Sequence, residues 1–486
     1  MDVILVADFG SSNVRVNGIN MENGEIAASY HVKYPLISTR EGYAELDAEQ
    51  EWDCSVQCVK KVMEQLKGKD SVCALTFSHI GSSLVPMDEN FNAVYRCILG
   101  MDSRAGEEGR ILAQRLKNVK EPLNTSFTCS EISTMAKIIY IQNKMPDIGA
   151  KTKYYLSIQQ FILKKLGLPL VWDATEAGSH CCYDNVKRQW SEAVLEAVGI
   201  SAQNLGEVVN SHEVVGTIAR YGEVVFDQEI PVVIGGHDAV MGAVGLGMGY
   251  EGADHIAEVT GTVDVFCFQK DEIFHLDETN MPAARAGAVL MSEPGPVKNS
   301  TICMAGFKTA GAIVEWFLRT FCDASGTEVY KDLWSHVFFN GRNKVLFNPD
   351  FVNNRGGIMG LDMATTKYDI FQGCVETLTY ELKNLLELAV SMRHRDCTGI
   401  RIGGGHANSS QWVQFRADVT GKVYERTANH EVSALGAGVT AAYGIGAYPS
   451  MKEAAEAMVR VKDTFIPNRE TGEIYQELYR EYIHWI

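Results

Sequence analysis

The chain contains no block of basic side chains longer than the pairs Lys60-Lys61 and Lys164-Lys165, and its 44 Lys and Arg against 61 Asp and Glu leave a formal charge of −17. Neutralising a phosphate backbone needs clustered cations, so nucleic-acid binding is not expected. Continuous apolar spans are missing too. The uncharged stretch 433–451 carries four glycines and Pro449, which makes a membrane helix an unexpected outcome. The start, Met1-Asp2-Val3-Ile4-Leu5-Val6-Ala7-Asp8, has no basic region ahead of its apolar run and does not read as a secretion signal. Cysteine is dilute, 12 in 486 residues, with no Cys-x-x-Cys pair and with Cys181 and Cys182 adjacent. That pattern suits neither zinc nor an ordinary disulfide, and a reducing cytoplasm is the expected location. Also absent are a phosphate loop ending in Gly-Lys-Ser/Thr, His-Glu-x-x-His, Gly-x-Ser-x-Gly and the protein-kinase catalytic set.

What the chain does hold is an ordinary globular composition, 46% hydrophobic and 22% charged, with length for two to four domains. Strand-like runs lead into glycine-rich turns in both halves. Residues 3–7 enter Asp8-Phe9-Gly10-Ser11-Ser12 and are followed by an alternating return over 13–19; residues 255–259 enter Thr260-Gly261-Thr262 and are followed by 263–268. Gly10 and Gly261 lie 251 positions apart (261 − 10), about half the chain, which hints at a duplicated domain. Helical periodicity over 49–66 and 378–392 beside short β-like runs at 72–77, 230–234 and 399–402 predicts an α/β fold with mixed sheets. The glycine-rich segment 242–252 is a candidate hinge, and the tail from 450 reads as helix, turn at Pro467-Asn468, and helix.

Four of these turns can carry chemistry. Small residues at Gly10, Ser11 and Ser12 let backbone amides and hydroxyls approach phosphate oxygens, and Asp8 at the strand end can hold a water of hydrated Mg²⁺. A polar hairpin turn accounts for the same residues, and the ambiguity repeats at Gly261 and Thr262. Gly235-Gly236-His237-Asp238 follows an apolar run, so Asp238 stands where α/β folds expose catalytic groups, able to accept a proton from a hydroxyl; it could equally cap the next helix. His237 reads as a hydrogen-bonding neighbour, not a metal ligand. Gly403-Gly404-Gly405-His406-Ala407-Asn408-Ser409-Ser410 opens a helix over 411–419, where three glycines would let a flat ligand lie against backbone.

In order along the chain, these segments resemble the FGGY family of carbohydrate kinases. The likeness also takes in Gly42-Tyr43-Ala44-Glu45-Leu46-Asp47, Leu99-Gly100-Met101-Asp102-Ser103-Arg104-Ala105, Thr134-Met135-Ala136-Lys137-Ile138-Ile139-Tyr140 and Gly356-Gly357-Ile358-Met359-Gly360-Leu361. The resemblance implies an α/β fold of two actin-like (RNase H-like) ATPase domains flanking a central cleft: 1–245, mainly sugar-binding and carrying the catalytic Asp, and 246–486, mainly ATP-binding. It implies ATP and Mg²⁺ as cofactors, Asp238 as general base, and Asp8 beside the metal. Gly10, Ser11 and Ser12 would form one phosphate turn and Gly261 and Thr262 the other; Gly311, Glu315, Gly405 and Ser409 would lie along the nucleoside. Gly81, Ser82, Asp102, His237 and Asp238 would line the sugar, a ketose or sugar alcohol. A cytoplasmic homodimer or homotetramer, with no membrane or nucleic-acid partner, completes the expectation. The alternative is an actin-fold nucleotide-binding sensor or assembly protein without kinase turnover.

Overall fold

The computed structural model describes residues 1–40, 42–68, 70–261, 263–276, 288–307, 310–322, 326–350, 355–394 and 396–485. The first sheet consists of β1 (Asp2–Phe9), β2 (Asn13–Asn20), β3 (Ile26–Lys33), β4 (Ser71–His79), β5 (Val214–Tyr221) and β6 (Val224–Val233), in the order β3-β2-β1-β4-β6-β5, with the two-residue β7 (Gly236–His237) added on β4. The second consists of β8 (Ile256–Thr260), β9 (Asp264–Lys270), β10 (Ala288–Pro294), β11 (Thr301–Phe307), β12 (Ile400–Gly404), β13 (Tyr424–Thr427) and β14 (Val461–Phe465), in the order β10-β11-β9-β8-β12-β13-β14. In each, the first strand runs antiparallel to the second and parallel to the strand on its other side. Setting β10 aside as an added edge, the two sheets follow one path, and the 251-residue spacing of Gly10 and Gly261 reflects it.

β1 is apolar at nearly every position because both of its faces are covered. Val3, Leu5, Ala7 and Phe9 belong to a core confined to the N-terminal half, whereas Ile4 and Val6 point the other way into a core that continues through the C-terminal half. Helix α1 (Ala48–Leu66) lies over β2 and β3, and starts where the Asp47 carboxylate accepts the amides of Glu49 and Gln50 at 3.0 and 3.3 Å.

The halves exchange helices. After the short α2 (Ala174–Ser179), α3 (Asp238–Gly245) follows the first sheet in sequence but packs on β8 and β9 of the second. Beyond α4 (Ala310–Phe321), α5 (Lys367–Arg393) and α6 (Ser410–Thr420), α7 (Val432–Gly444) packs back on β1 and β4. α3 and α7 cross backbone to backbone: a Cβ on Gly245 would overlap the Val432 carbonyl, and one on Gly436 the Met241 carbonyl. Within the segment 242–252 expected as a hinge, Gly245 therefore serves a helix crossing and Gly242 packs on the Val259 side chain of β8, while left-handed backbone occurs only at Gly247, Gly249 and Gly252.

The tail also differs from expectation. Between its helices Met451–Met458 and Arg469–Trp485 it contributes β14, whose Val-Lys-Asp-Thr-Phe sequence alternates too weakly to announce a strand and is held at the sheet edge by pairing with β13. Among the described residues no helix is long and apolar enough to cross a membrane.

Candidate active site

The β1–β2 turn is closed by its own groups. Gly10 N–H donates to the Asn13 carbonyl at 3.0 Å and Tyr34 Oη donates to the Gly10 carbonyl at 2.6 Å. Gly10 thus shapes the turn and has no amide to offer, while the amides of Ser11 and Ser12 have no protein acceptor among the described residues. Asp8 lies in register with Arg15 on one side and Ser78 on the other. Burial pushes its carboxyl up to about 6; a Ser78 hydrogen bond opposes this and the nearby Asp238 carboxylate adds to it. A carboxyl made costly to ionise beside a second carboxylate, next to two open amides, is a setting that a hydrated divalent cation and a phosphate would neutralise.

Asp238 is placed by a close backbone approach to β4. At Gly235 the backbone is left-handed (φ +70°) and a Cβ would overlap the Phe77 carbonyl. β7 then pairs with Ser78 and His79, and Asp238 becomes the first residue of α3, its side chain 40% exposed. The capping role open to Asp238 in the sequence is not the one it takes: His237 occupies the cap position and no side chain caps this helix. His237 Nε2 stands 3.3 Å from Asp238 Oδ1, and Nδ1 stands 2.9 Å from Glu293 Oε2 on β10. Burial disfavours a charged imidazole, but the Glu293 carboxylate, with Asp238 and Glu176, outweighs it and lifts the His237 pKa to about 10.

Beneath this pair lies a buried polar cluster that nothing in the sequence singled out. His237 N–H donates to Thr175 Oγ1 at 2.9 Å, and Thr175 Oγ1 donates to Asp173. The His79 ring sits between Asp173 Oδ2 at 3.7 Å and Glu176 Oε2 at 3.9 Å. Burial pushes Glu176 up to about 8 despite the two imidazoles and Ser179, which donates to its Oε2 at 2.9 Å. Asp173-x-x-Glu176 reads as a helix-start pattern, and Asp173 does cap α2; its second task appears only when β4 and β7 are brought alongside.

On the expected sugar side, Gly81 faces the His237 ring, which a Cβ would overlap, and Gly100 rests on the Gly81 carbonyl. Ser82 has a left-handed backbone (φ 56°); its hydroxyl donates to the Ser179 carbonyl at 2.6 Å and its amide to Ser179 Oγ at 3.1 Å. Asp102 is fully buried: Oδ2 accepts from Ala44 N–H and Arg104 Nη2, both at 2.6 Å, and Oδ1 accepts from Arg104 Nε at 2.8 Å. Arg104 also reaches Glu45 at 2.7 Å and lies 3.8 Å from the Tyr43 ring centre, leaving its Nη1 buried without a partner.

In the other half, Gly261 N–H donates to Asp264 Oδ1 at 3.1 Å. Against the cost of burial, His406, 3.0 Å away, and Arg416, 3.0 Å away, hold Asp264 below the usual carboxylate range. Arg416 also pairs with buried Glu258. Three backbones meet here: a Cβ on Gly311 would overlap the Gly261 carbonyl, and one on Gly404 the Thr260 carbonyl, whereas one on Gly405 would meet nothing within 4 Å. Ser409 caps α6 by accepting Trp412 N–H at 3.3 Å, and Glu315 is exposed on α4 beside Tyr330. Thr262 lies outside the described residues. No group of three His, Cys, Asp or Glu that could hold a metal converges among the described residues.

The family models described as the FGGY family of carbohydrate kinases match this chain at residues 3–245 for the N-terminal domain and 274–445 for the C-terminal domain. The chain is 24% identical to the xylulose kinase of Bacillus subtilis (strain 168), over 99% of its own length and 96% of that protein, and 25% identical to the autoinducer-2 kinase of Yersinia pestis (strain Pestoides F), over 98% and 92%. Its fold superposes on the ligand-bound xylulose kinase of Lactobacillus acidophilus with a TM-score of 0.84 at 18% identity, covering 100% of this chain and 97% of that one. On Plasmodium falciparum glycerol kinase with ADP the TM-score is 0.81 at 18% identity, covering 100% and 98%.

Proposed function

The chain belongs to the FGGY family of carbohydrate kinases, two actin-like ATPase domains that phosphorylate a sugar with ATP, and from that premise we propose that Asp238 is its general base. The substrate is a small uncharged ketose or sugar alcohol. The observation that carries the reading is the placement of Asp238: a half-open carboxylate at a strand end, next to a buried imidazole and electrostatically coupled to Asp8. As the sugar hydroxyl oxygen attacks the γ-phosphorus, its proton passes to Asp238 and the bond to ADP breaks. Ser11 and Ser12 amides hold phosphate oxygens, and Asp8 lies beside the Mg²⁺ that ATP brings to neutralise them. Residues 1–245 supply sugar and base contacts and 246–486 supply the nucleotide, with Gly261, Thr262, Gly311, Glu315, Gly405 and Ser409 along it.

The charge around Asp238 narrows the substrate. Asp238, Glu293 and Asp8 bring three acidic side chains to the site against the imidazolium of His237, so a sugar acid would be repelled where a neutral polyol is not. Gly81 and Ser82 floor the sugar, and Asp102 acts by aiming Arg104. We further propose a cytoplasmic homodimer or homotetramer. The test is ADP release with Mg·ATP across ketopentoses, ketohexoses, deoxyketohexoses and alditols. Asp238→Ala should stay folded and bind ATP while turnover on the best sugar falls about 10²- to 10⁴-fold; near-normal turnover in that variant would sink the assignment.

A further inference from the structure

We infer that Glu293 is a positioning residue of the phosphoryl-transfer centre: a carboxylate supplied by the C-terminal half that holds the His237 imidazole against Asp238, so that the setting of the base depends on docking of the two halves. The inference rests on Asp238 being the base. Glu293 lies on β10, the one strand of the second sheet without a counterpart in the first, and is 2% exposed. Its Oε2 is 2.9 Å from His237 Nδ1, while the other ring nitrogen is 3.3 Å from Asp238 Oδ1. One imidazole thus connects a carboxylate of each half.

β10 and the loop after it are docked on the N-terminal half at several other points. Asn185 Nδ2 donates to the Ser292 carbonyl at 3.2 Å and Arg188 Nη2 to the Ser300 carbonyl at 2.6 Å. Pro294 packs on Gly178 so closely that a Cβ there would overlap its ring, and the His212 ring approaches the Pro296 carbonyl at 3.4 Å. Glu293 is therefore delivered by a strand seated across the cleft. On the other side, Thr175 fixes the His237 backbone. The titratable groups facing the ring are Glu293 from β10, Asp238 from α3, Glu176 from α2 and His79 from β4.

With Glu293 in place the ring keeps its proton through neutral pH and turns an N–H toward Asp238, which aims that carboxylate. Without it, a buried imidazole loses the partner that compensates its charge, and either tautomer becomes available. A base oriented by a second group that is itself oriented by a third follows the logic of other nucleophile-activating arrangements. Because the third group here comes from the nucleotide half, separating the halves would release the base from its setting.

Glu293→Gln should lower kcat about 10- to 100-fold on the best sugar while leaving KM for ATP unchanged, and should move the alkaline limb of the kcat–pH profile to lower pH. Glu293→Asp should recover part of the loss. In His237→Gln, adding Glu293→Gln should cost nothing more, since both act through one ring. Wild-type kcat with an unshifted profile in Glu293→Gln overturns the inference, as do losses that multiply in the double variant. If Glu293→Gln does not fold, ¹⁵N chemical shifts of His237 in the unaltered protein decide: an imidazolium from pH 6 to 9 supports the pairing, and titration near 6.5 overturns it. Turnover surviving in Asp238→Ala defeats the base assignment; an inert Asp238→Ala beside a fully active Glu293→Gln defeats only the role of Glu293.

Discussion

At the β1–β2 turn, the amides of Ser11 and Ser12 stay open and the buried carboxyls nearby, Asp8 and Glu176, are pushed toward their neutral forms. At the β8–β9 turn, reached by the same strand path, the buried Asp264 is held ionised by Arg416 and His406 and takes up the Gly261 amide itself. One topology therefore carries two electrostatic plans. The N-terminal turn leaves two amides open to a ligand beside a buried carboxyl that is costly to ionise; at the C-terminal turn, among the described residues, Gly261 and Asp264 meet each other, and Gly311 and Gly404 lie against the Gly261 and Thr260 carbonyls.

The contrast can be broken by substitution. Asp264→Ala should leave Arg416 buried with its charge only partly compensated by Glu258, and should destabilise the protein by about 3–5 kcal/mol in urea unfolding; a loss under about 1 kcal/mol would show that the C-terminal network is not internally balanced.

The two plans also fail on opposite sides of pH. Glu176 has a folded pKa near 8, above its unfolded value of 4.5, so the native state holds a proton that the unfolded chain has released, and stability falls as pH rises between them. His237, lifted to about 10, adds stability that is complete below 6.5 and is lost as pH climbs through 10. Asp264, held low, contributes above its unfolded pKa of about 3.8 and is lost as pH falls through its folded value. Glu176→Gln should remove one proton's worth of slope, about 1.4 kcal/mol per pH unit at most, between roughly pH 4.5 and 8 and leave the acid limb unchanged. Melting temperature against pH reads both limbs.

The smallest effect sharpens the nucleotide side. Ser409→Ala removes the cap of α6 and should cost about 1 kcal/mol. If Ser409 serves only as a cap, KM for ATP stays constant; a rise of several-fold at unchanged kcat would place the hydroxyl on the nucleoside as well.

Much of this was legible beforehand because it depends on local pattern. The apolar run of β1, the glycine turns and the 251-residue repeat are readable from neighbouring residues, and Asp238 stands out as an acid after an apolar run. Glu293 gave no such signal. It lies in Glu293-Pro294 at the end of an unremarked strand, 56 positions from His237, and only the docking of β10 sets the two side by side. The segment 242–252 suggested a hinge because glycine frees a backbone, but at Gly245 the missing side chain allows two helices to touch. β14 escaped notice because an edge strand buries one face at most, so its charged residues hide the alternation.

What the amino-acid order determined by itself was the strongly patterned elements and the places where backbone must turn, since hydrophobic period and glycine act over a few residues. Which groups share a site was decided by the tertiary structure alone. The exchange of α3 and α7 between halves, the seat of β10 on the N-terminal half and the raised pKa values of Glu176 and His237 all arise from burial and charge brought together over long separations, and neither burial nor charge proximity exists in an unfolded chain.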